Sequence, residues 1–279
     1  MARDLPSRPP GRRLEARLAF RCLDGRTFLG AQLTPHPFHI TRPFALPGDP
    51  EGLASLYLQS SSGGLYGDDD LRLSVTLEPG ARLHLTTQAS SVVHAGRGGV
   101  ARQSCRLRLG AGAHAEYLPD PLILFPGAAF CGALELDLAP GARAILCDSF
   151  LTHDPAGAGG LFEALETTVS IRTEGAAGLI DRQCTGGADW ARRCAGALAT
   201  FYLAGCTDAR AVAADLNARL RDWPAAREVF WGIEAMPGRA LVALRLLAPD
   251  GRRLGALTAP LLPALRAALT GWDSAARRK

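Results

Sequence analysis

A turn that recurs at nearly constant spacing constrains this chain more than any other feature. Leu77-Glu-Pro-Gly80-Ala81 is followed by Arg-Leu-His-Leu85, Leu109-Gly-Ala-Gly112-Ala113 by His-Ala-Glu-Tyr117, and Leu138-Ala-Pro-Gly141-Ala142 by Arg-Ala-Ile-Leu146. The three glycines lie 32 and 29 residues apart. Glycine takes up positive φ at little steric cost, and period-two alternation of apolar and polar residues flanks the turns over 71–77 and 102–109. Stacked β-units of a solenoid leave this signature. Unrelated hairpins that share a common Pro-Gly turn would leave a similar one. Ile171-Arg-Thr-Glu-Gly175 reads as a looser further copy.

The pattern changes near Thr185. Trp190, Cys194, Ala197, Leu198 and Phe201 keep helical spacing, and Thr207 reads as the cap of a second run with Val212, Leu216, Leu220 and Trp223 on one face before Pro224. This predicts a helical hairpin. Strand returns over 241–247 and turns at Pro249-Asp-Gly251, and a last helix runs from a Thr258 cap through Leu261, Leu262, Leu265 and Leu269 to Gly271. The expected fold is mainly β: an elongated β-superhelix or solenoid-like body, with a helical hairpin and a C-terminal helix in the last third. As a single domain over 1–279 it divides into a disordered 1–14, a β-repeat body over 15–184, the hairpin over 185–224, and returning strands with the final helix over 225–279. Residues 155–160 read as a mobile loop.

Composition narrows the chemistry. No stretch approaches the roughly eighteen uninterrupted apolar residues of a membrane helix, and no apolar signal segment follows the basic, proline-rich residues 1–13, so a cytoplasmic protein that does not meet a membrane is expected. Every basic residue except Lys279 is arginine, which excludes a phosphate-loop lysine and a Schiff-base lysine. A net charge of +4 without a basic block argues against nucleic-acid binding. The seven cysteines, at 22, 105, 131, 147, 184, 194 and 206, form no C-x-x-C pair and read as small core residues rather than as a disulfide or zinc framework.

Several constellations invite a catalytic reading. Gly96-Arg-Gly98-Gly-Val-Ala101 fits a dinucleotide fingerprint, but a strand rather than a helix follows it, so a flexible hairpin is the better reading. The six histidines, at 36, 39, 84, 94, 114 and 153, lack metal-ligand spacing. Asp148-Ser149 and His153-Asp154 hold triad residue types without a nucleophile elbow and read as a surface turn. The densest segment is Ser60-Ser-Ser-Gly63-Gly64-Leu-Tyr-Gly67-Asp68-Asp69-Asp70, followed by Leu85-Thr86-Thr87-Gln88. Three carboxylates beside a glycine fold could hold a hard or borderline cation, and a solvated acidic turn explains the same residues. A metal-dependent hydrolase using Asp68, Asp69 and Asp70 is therefore the enzyme alternative, and a β-solenoid interaction module the structural one.

The same residues carry a family resemblance. Gly63-Gly64-Leu-x-Gly67-Asp68, Leu77-x-Pro-Gly-Ala81, Leu85-Thr86-Thr87-Gln88-Ala89 and Glu116-Tyr-Leu-Pro119-Asp120-Pro121 are similar, in order and spacing, to the urease accessory protein family UreD, also called UreH. The likeness extends to Gly178-Leu-Ile-Asp-Arg182, Val242-Ala-Leu-Arg245 and residues 265–271. The chain departs from the family at Ser62, where a proline is usual, at Val92, Val93 and His94, where a lysine and an aromatic are usual, and over 152–163, where an arginine is missing.

The resemblance implies a non-enzymatic maturation scaffold. Such a protein binds apo-urease and the adaptor UreF, meets the GTPase UreG through UreF, and helps deliver Ni²⁺, with an internal tunnel as the route and a dimer compatible with the accessory complex. It implies no tightly bound cofactor and only transient Ni²⁺, for which Asp68 and Glu163 are the acidic candidates, since a delivery protein should not enclose the ion in a full ligand shell. Arg266 and Trp272, in the arginine-bearing last helix and tail, are the candidates for partner contact.

Overall fold

The computed structural model describes residues 11–193 and 195–272. Strands make up 50% and helices 16%, arranged as a β-solenoid of about four turns. In chain order the strands of the first coils are β1 (Arg13–Leu23), β2 (Arg26–Leu33), β3 (Phe38–Ile40), β4 (Leu53–Ser60), β5 (Asp70–Leu77), β6 (Arg82–Thr87), β7 (Val92–Val93), β8 (Ala101–Leu109) and β9 (His114–Leu118). There follow β10 (Leu122–Leu124), β11 (Ala129–Leu138), β12 (Arg143–Thr152), β13 (Ala164–Thr173), β14 (Ala176–Gly186) and the short helix α1 (Gly187–Ala191). The last third holds β15 (Ala197–Ala204), α2 (Ala209–Asp222), β16 (Phe230–Ala235), β17 (Leu241–Ala248), α3 (Gly251–Thr258) and α4 (Leu261–Thr270).

Each coil lays one strand in each of two facing sheets. A seven-stranded sheet runs β14-β13-β11-β8-β5-β1-β2, and a larger sheet runs β16-β17-β15-β12-β9-β6-β4-β3 with β7 and β10 beside it. Within the coils the neighbours β1, β5, β8, β11 and β13 are parallel, as are β4, β6, β9 and β12. The repeated turns join one sheet to the other. Gly80, Gly112 and Gly141 have φ of 74°, 63° and 71°, and the turns stack: the Gly80 amide donates to the Ala111 carbonyl, and that of Gly112 to the Pro140 carbonyl, each at 3.0 Å. Alternation then sets the faces. In β5, Leu71, Leu73, Val75 and Leu77 are buried between the sheets, while Arg72 and Thr76 are exposed outside. At Gly175 the series ends, because β14 returns antiparallel to β13 instead of crossing to the other sheet.

A second core lies outside the larger sheet. Ile145, Cys147, Phe201, Val242, Leu244 and Leu246 face away from the sandwich and pack under Leu216, Leu220, Leu254, Leu257, Leu261 and Leu265 of α2, α3 and α4. Among the described residues no helix is long and apolar enough to cross a membrane.

The structure corrects several boundaries. Residues 11–14 are not disordered, since Arg12 pairs with Asp69 and β1 begins at Arg13; residues 1–10 lie outside the described residues, as do Cys194 and 273–279. The expected helical hairpin has only its second arm. The first is β15, whose eight residues are all buried, with Leu198 and Tyr202 in the core between the sheets and Phe201 and Leu203 in the core under the helices. A strand buried on both faces has no polar alternation to betray it, so a chance 3.6 spacing could stand in for helix. The caps shift by a residue or more: Asp208, not Thr207, accepts from the Ala211 amide, and Asp250 of the expected turn caps α3 by accepting from the Arg253 amide. Thr258 ends α3, and α4 begins after Pro260 and closes at Gly271 with φ 72°.

Two glycine substitutions separate backbone conformation from close approach. A Cβ on Gly112 meets nothing within 4 Å, so Gly112→Ala should cost about 1–2 kcal/mol from positive φ alone. A Cβ on Gly64 would lie 2.2 Å from the Val92 carbonyl oxygen, so Gly64→Ala should cost more and break the local pairing of Leu65 with Val93. Thermal unfolding of the two variants beside the parent checks the order.

Candidate functional site

The inward positions are not apolar along their whole length. At the strand ends farthest from the glycine turns, Leu83 and Leu85 give way to Thr87, Leu107 and Cys105 to Gln103, Leu146 to Asp148, and Val169 to Thr167. These polar residues enclose a cavity of about 80 Å³ between the sheets, with Tyr117 and Asp120. Thr87, Ser91 and Gln103 also line an opening of about 240 Å³ bordered by Ser62, Gly63, Gly64 and Gln88. On the other side Pro119, Asp120, Cys147 and Ser149 separate the cavity from a groove of about 310 Å³ beneath α3 and α4. The cavity, lined by Asp120 and Asp148 among others, and the opening at the glycine loop are thus neighbours that share Thr87, Ser91 and Gln103.

Local chemistry explains why these segments meet there. Parallel pairing of β6 with β9 sets Thr86 beside Leu118, to whose carbonyl its hydroxyl donates at 2.6 Å, and the Asp120 amide donates to the Thr87 hydroxyl at 2.8 Å. The Gln59 side-chain amide donates to Gln88 Oε1 at 2.7 Å, and Gly64 approaches Val92 with φ 134°. Segments 63–64, 86–88 and 119–121 therefore share one neighbourhood.

The three consecutive aspartates diverge. Asp68 is exposed with φ 69°, and Asp70 pairs with Arg72 on the outer face. Asp69 is buried against Arg12 and accepts from the Tyr66 amide at 2.8 Å; burial alone would raise its pKa, but the bonds from Arg12 and from the Tyr66 and Arg12 amides hold it below the usual range. Glu163 is exposed where its amide donates to the Ala128 carbonyl. Neither Asp68 nor Glu163 lines the cavity or its opening. Asp148 and Ser149, read from sequence as a surface turn, sit in β12 instead, with Asp148 on the cavity side. Their strand is central, and adjacent residues of a strand point to opposite faces.

Burial pushes the Asp148 carboxyl above its ordinary pKa, and a hydrogen bond with Thr167 offsets this only in part. Burial also pushes the Cys105 and Cys147 thiols up to about 12, so both stay protonated near neutral pH and neither presents a thiolate. Among the described residues no three ligating side chains converge to hold a metal ion. What the cavity offers a cation is a series of separate oxygen ligands.

A second polar cluster lies on the opposite face of the same strands. Arg266 of α4 is fully buried, with Nε and Nη2 donating to the two oxygens of Glu116 at 2.6 and 2.7 Å and Nη1 to Asp49 at 3.2 Å. His84 Nδ1 lies 2.6 Å from Glu116 Oε2, and His114 Nε2 lies 3.3 Å from Oε1. Burial would raise the Glu116 pKa; the bonds with His114, His84 and Arg266 outweigh it and hold the carboxyl well below the usual range. This corrects the expectation that Arg266 meets a partner, because the side chain has no exposed surface. Trp272 is half-buried, edge-on to His114 at 4.6 Å between ring centroids and under the Arg82 guanidinium. The sequence signal for this cluster was the lone arginine in the apolar run Leu261-Leu-Pro-Ala-Leu-Arg266-Ala-Ala-Leu269.

The structure is a β-solenoid with polar residues in its interior and a helical layer held against it by a buried ion pair. The comparisons make the class specific: residues 12–279 match the UreD urease accessory protein family, and the chain belongs to it. It is 40% identical to Urease accessory protein UreD 1 of Methylorubrum populi over 98% of this chain and 94% of that one. It is also 40% identical to Urease accessory protein UreD 1 of Methylorubrum extorquens (99% and 95%), and 34% identical to that of Pseudomonas syringae pv. syringae (98% of each).

Removing Arg266 should expose how much the helical layer depends on it. Arg266→Ala leaves Glu116 and Asp49 buried without their cation and should cost about 3–5 kcal/mol, whereas Arg266→Met combined with Glu116→Gln should recover part of that loss. A carboxyl held below its unfolded pKa lends stability that is present above the unfolded value and is lost as pH falls through the folded one. The parent should therefore weaken on acidification below about pH 4.5, and the double variant should lose this component; urea titrations across that range measure both.

Proposed function

We propose that this chain is a non-catalytic scaffold of urease maturation and that its polar interior carries Ni²⁺ as cargo toward apo-urease. The observation that carries the reading is the lining itself: Thr87, Gln103, Asp148 and Thr167 take inward strand positions in four successive coils, with Asp120 beside them in the loop after β9. A solenoid gains nothing in stability from a desolvated carboxylate at Asp148, so its presence points to function. Separate carboxylate, hydroxyl and amide oxygens suit a borderline divalent cation that must be passed on, and protonated thiols do not trap it. On this reading the protein binds apo-urease and UreF, with UreG joining through UreF, and acts in the cytoplasm. The names of its relatives as accessory proteins support a non-enzymatic role.

Asp148→Asn tests the route with two readouts of opposite sign. Because the folded-state pKa of Asp148 is raised, its charge opposes folding once pH exceeds the unfolded value, so the amide should melt at or above the parent temperature. Urease matured with that variant under limiting nickel should nevertheless contain several-fold less nickel, with assembly of the accessory complex unchanged. Equal nickel content would remove the route.

A further inference from the structure

The two sheets do not end together. The seven-stranded sheet stops at β14, whose outer edge pairs with no strand among the described residues, while the larger sheet continues past β15 through β17 to β16. On β16 the residues facing the helical layer, Trp231, Ile233 and Ala235, are half-buried, but those on the inner face, Phe230, Gly232 and Glu234, are exposed. Phe230 is 80% exposed, although its cross-strand partner Leu247 packs against the core between the sheets. The inner face of the sandwich therefore runs on, uncovered, beyond the edge of the opposite sheet.

The centre of this ledge is charged. Arg245, opposite Gly232, pairs with Asp181 of β14, donates from Nε to the Thr200 hydroxyl at 3.2 Å, and keeps 49% of its side chain exposed. The Tyr202 hydroxyl donates to the same Asp181 at 2.8 Å. A Cβ on Gly232 would meet nothing within 4 Å, so there is room above the guanidinium. Ile180, 70% exposed, precedes Asp181 on β14 and so points to the outer face of that sheet, away from the ledge. At the opposite end of the body β2 folds back on β4 and β6.

We propose that an extended segment of apo-urease adds to the free edge of β14 as a further strand, covering Phe230 with an apolar residue and giving Arg245 a second carboxylate. One strand, about 4.8 Å out from β14, extends the shorter sheet over the ledge, and its backbone satisfies the unpaired edge. Inward side chains alternate, so the apolar and acidic residues stand two positions apart, with a base or polar residue toward Glu234. The identity of the partner rests on the maturation reading: Arg245, Thr200 and Asp148 occupy one row across β17, β15 and β12, so this edge lies at the end of the polar interior from which an acceptor would take the ion.

The test uses the full-length chain and purified apo-urease. Hydrogen exchange should show the β14 amides slowed at least ten-fold in the complex. Phe230→Asp and Arg245→Glu should each weaken binding ten-fold or more, and Phe28→Ser at the far end should leave it unchanged. Phe230 is a surface side chain, so its variant keeps the fold even if Arg245→Glu does not. A complex that forms while β14 exchanges as in the free chain overturns this inference and leaves the maturation reading standing; no complex with the parent protein overturns both. Self-association of the isolated chain that Phe230→Asp abolishes would assign the ledge to a second copy and overturn the proposal.

Discussion

Burial of Glu116 against Arg266 is the contact on which the rest of the arrangement depends, because it joins parts of the chain 150 residues apart. Glu116 lies on β9, in the middle of the larger sheet, and draws in His84 from β6 and the guanidinium from α4. A carboxylate there is tolerable only with its bonds complete, and so is the arginine. The buried pair thus joins α4 of the helical layer to the middle of the larger sheet.

With the helical layer on one side, the larger sheet has two environments. Its outer face is mostly apolar under α2, α3 and α4, apart from the cluster at Glu116 and the groove lined by Thr86, Asp120 and Ser149, and its inner face grades from Leu83, Leu85 and Leu146 near the glycine turns to Thr87 and Asp148 farther along the strands. The coil repeat makes such a gradient possible, since parallel strands in register place like positions of successive coils side by side. Thr87, Gln103, Asp148 and Thr167, from successive coils, thereby come to line one cavity. The raised pKa of Asp148 is the energetic trace of that lining in an otherwise apolar core.

The body of the fold was legible because its local rules are strict. Positive φ at Gly80, Gly112 and Gly141 and alternation in β5 and β8 each admit few other structures. The last third was less so. β15 lost its alternation to burial on both faces, and Asp250 could as well have opened a turn as capped a helix. In the site, the motif segments around Gly64, Thr87 and Asp120 were visible as sequence, but the divergence of Asp68, Asp69 and Asp70 was not, because it depends on Arg12 arriving from 57 residues away. Arg266 was read as a partner contact for the same reason: the apolar run around it signalled burial, but its partner Glu116 lies 150 residues away on β9.

Arg245 connects the interior to the open edge through one shared charge. It offsets both Asp148, whose pKa its field lowers and that of Asp181 raises, and Asp181 itself. With Arg245 bonded to Asp181 and its field reaching Asp148, the negative charge at this end of the cavity is partly offset, which weakens its pull on a dication. A carboxylate offered from outside would draw the guanidinium outward and leave Asp148 and Asp181 facing the same space with their charges less compensated. Mutual repulsion of two acids in a partly desolvated site is relieved by a divalent cation more effectively than by water. Docking at β14 and occupancy of the inner end of the passage would then favour each other, with the coupling carried by the position of one side chain rather than by any rearrangement of the sheets.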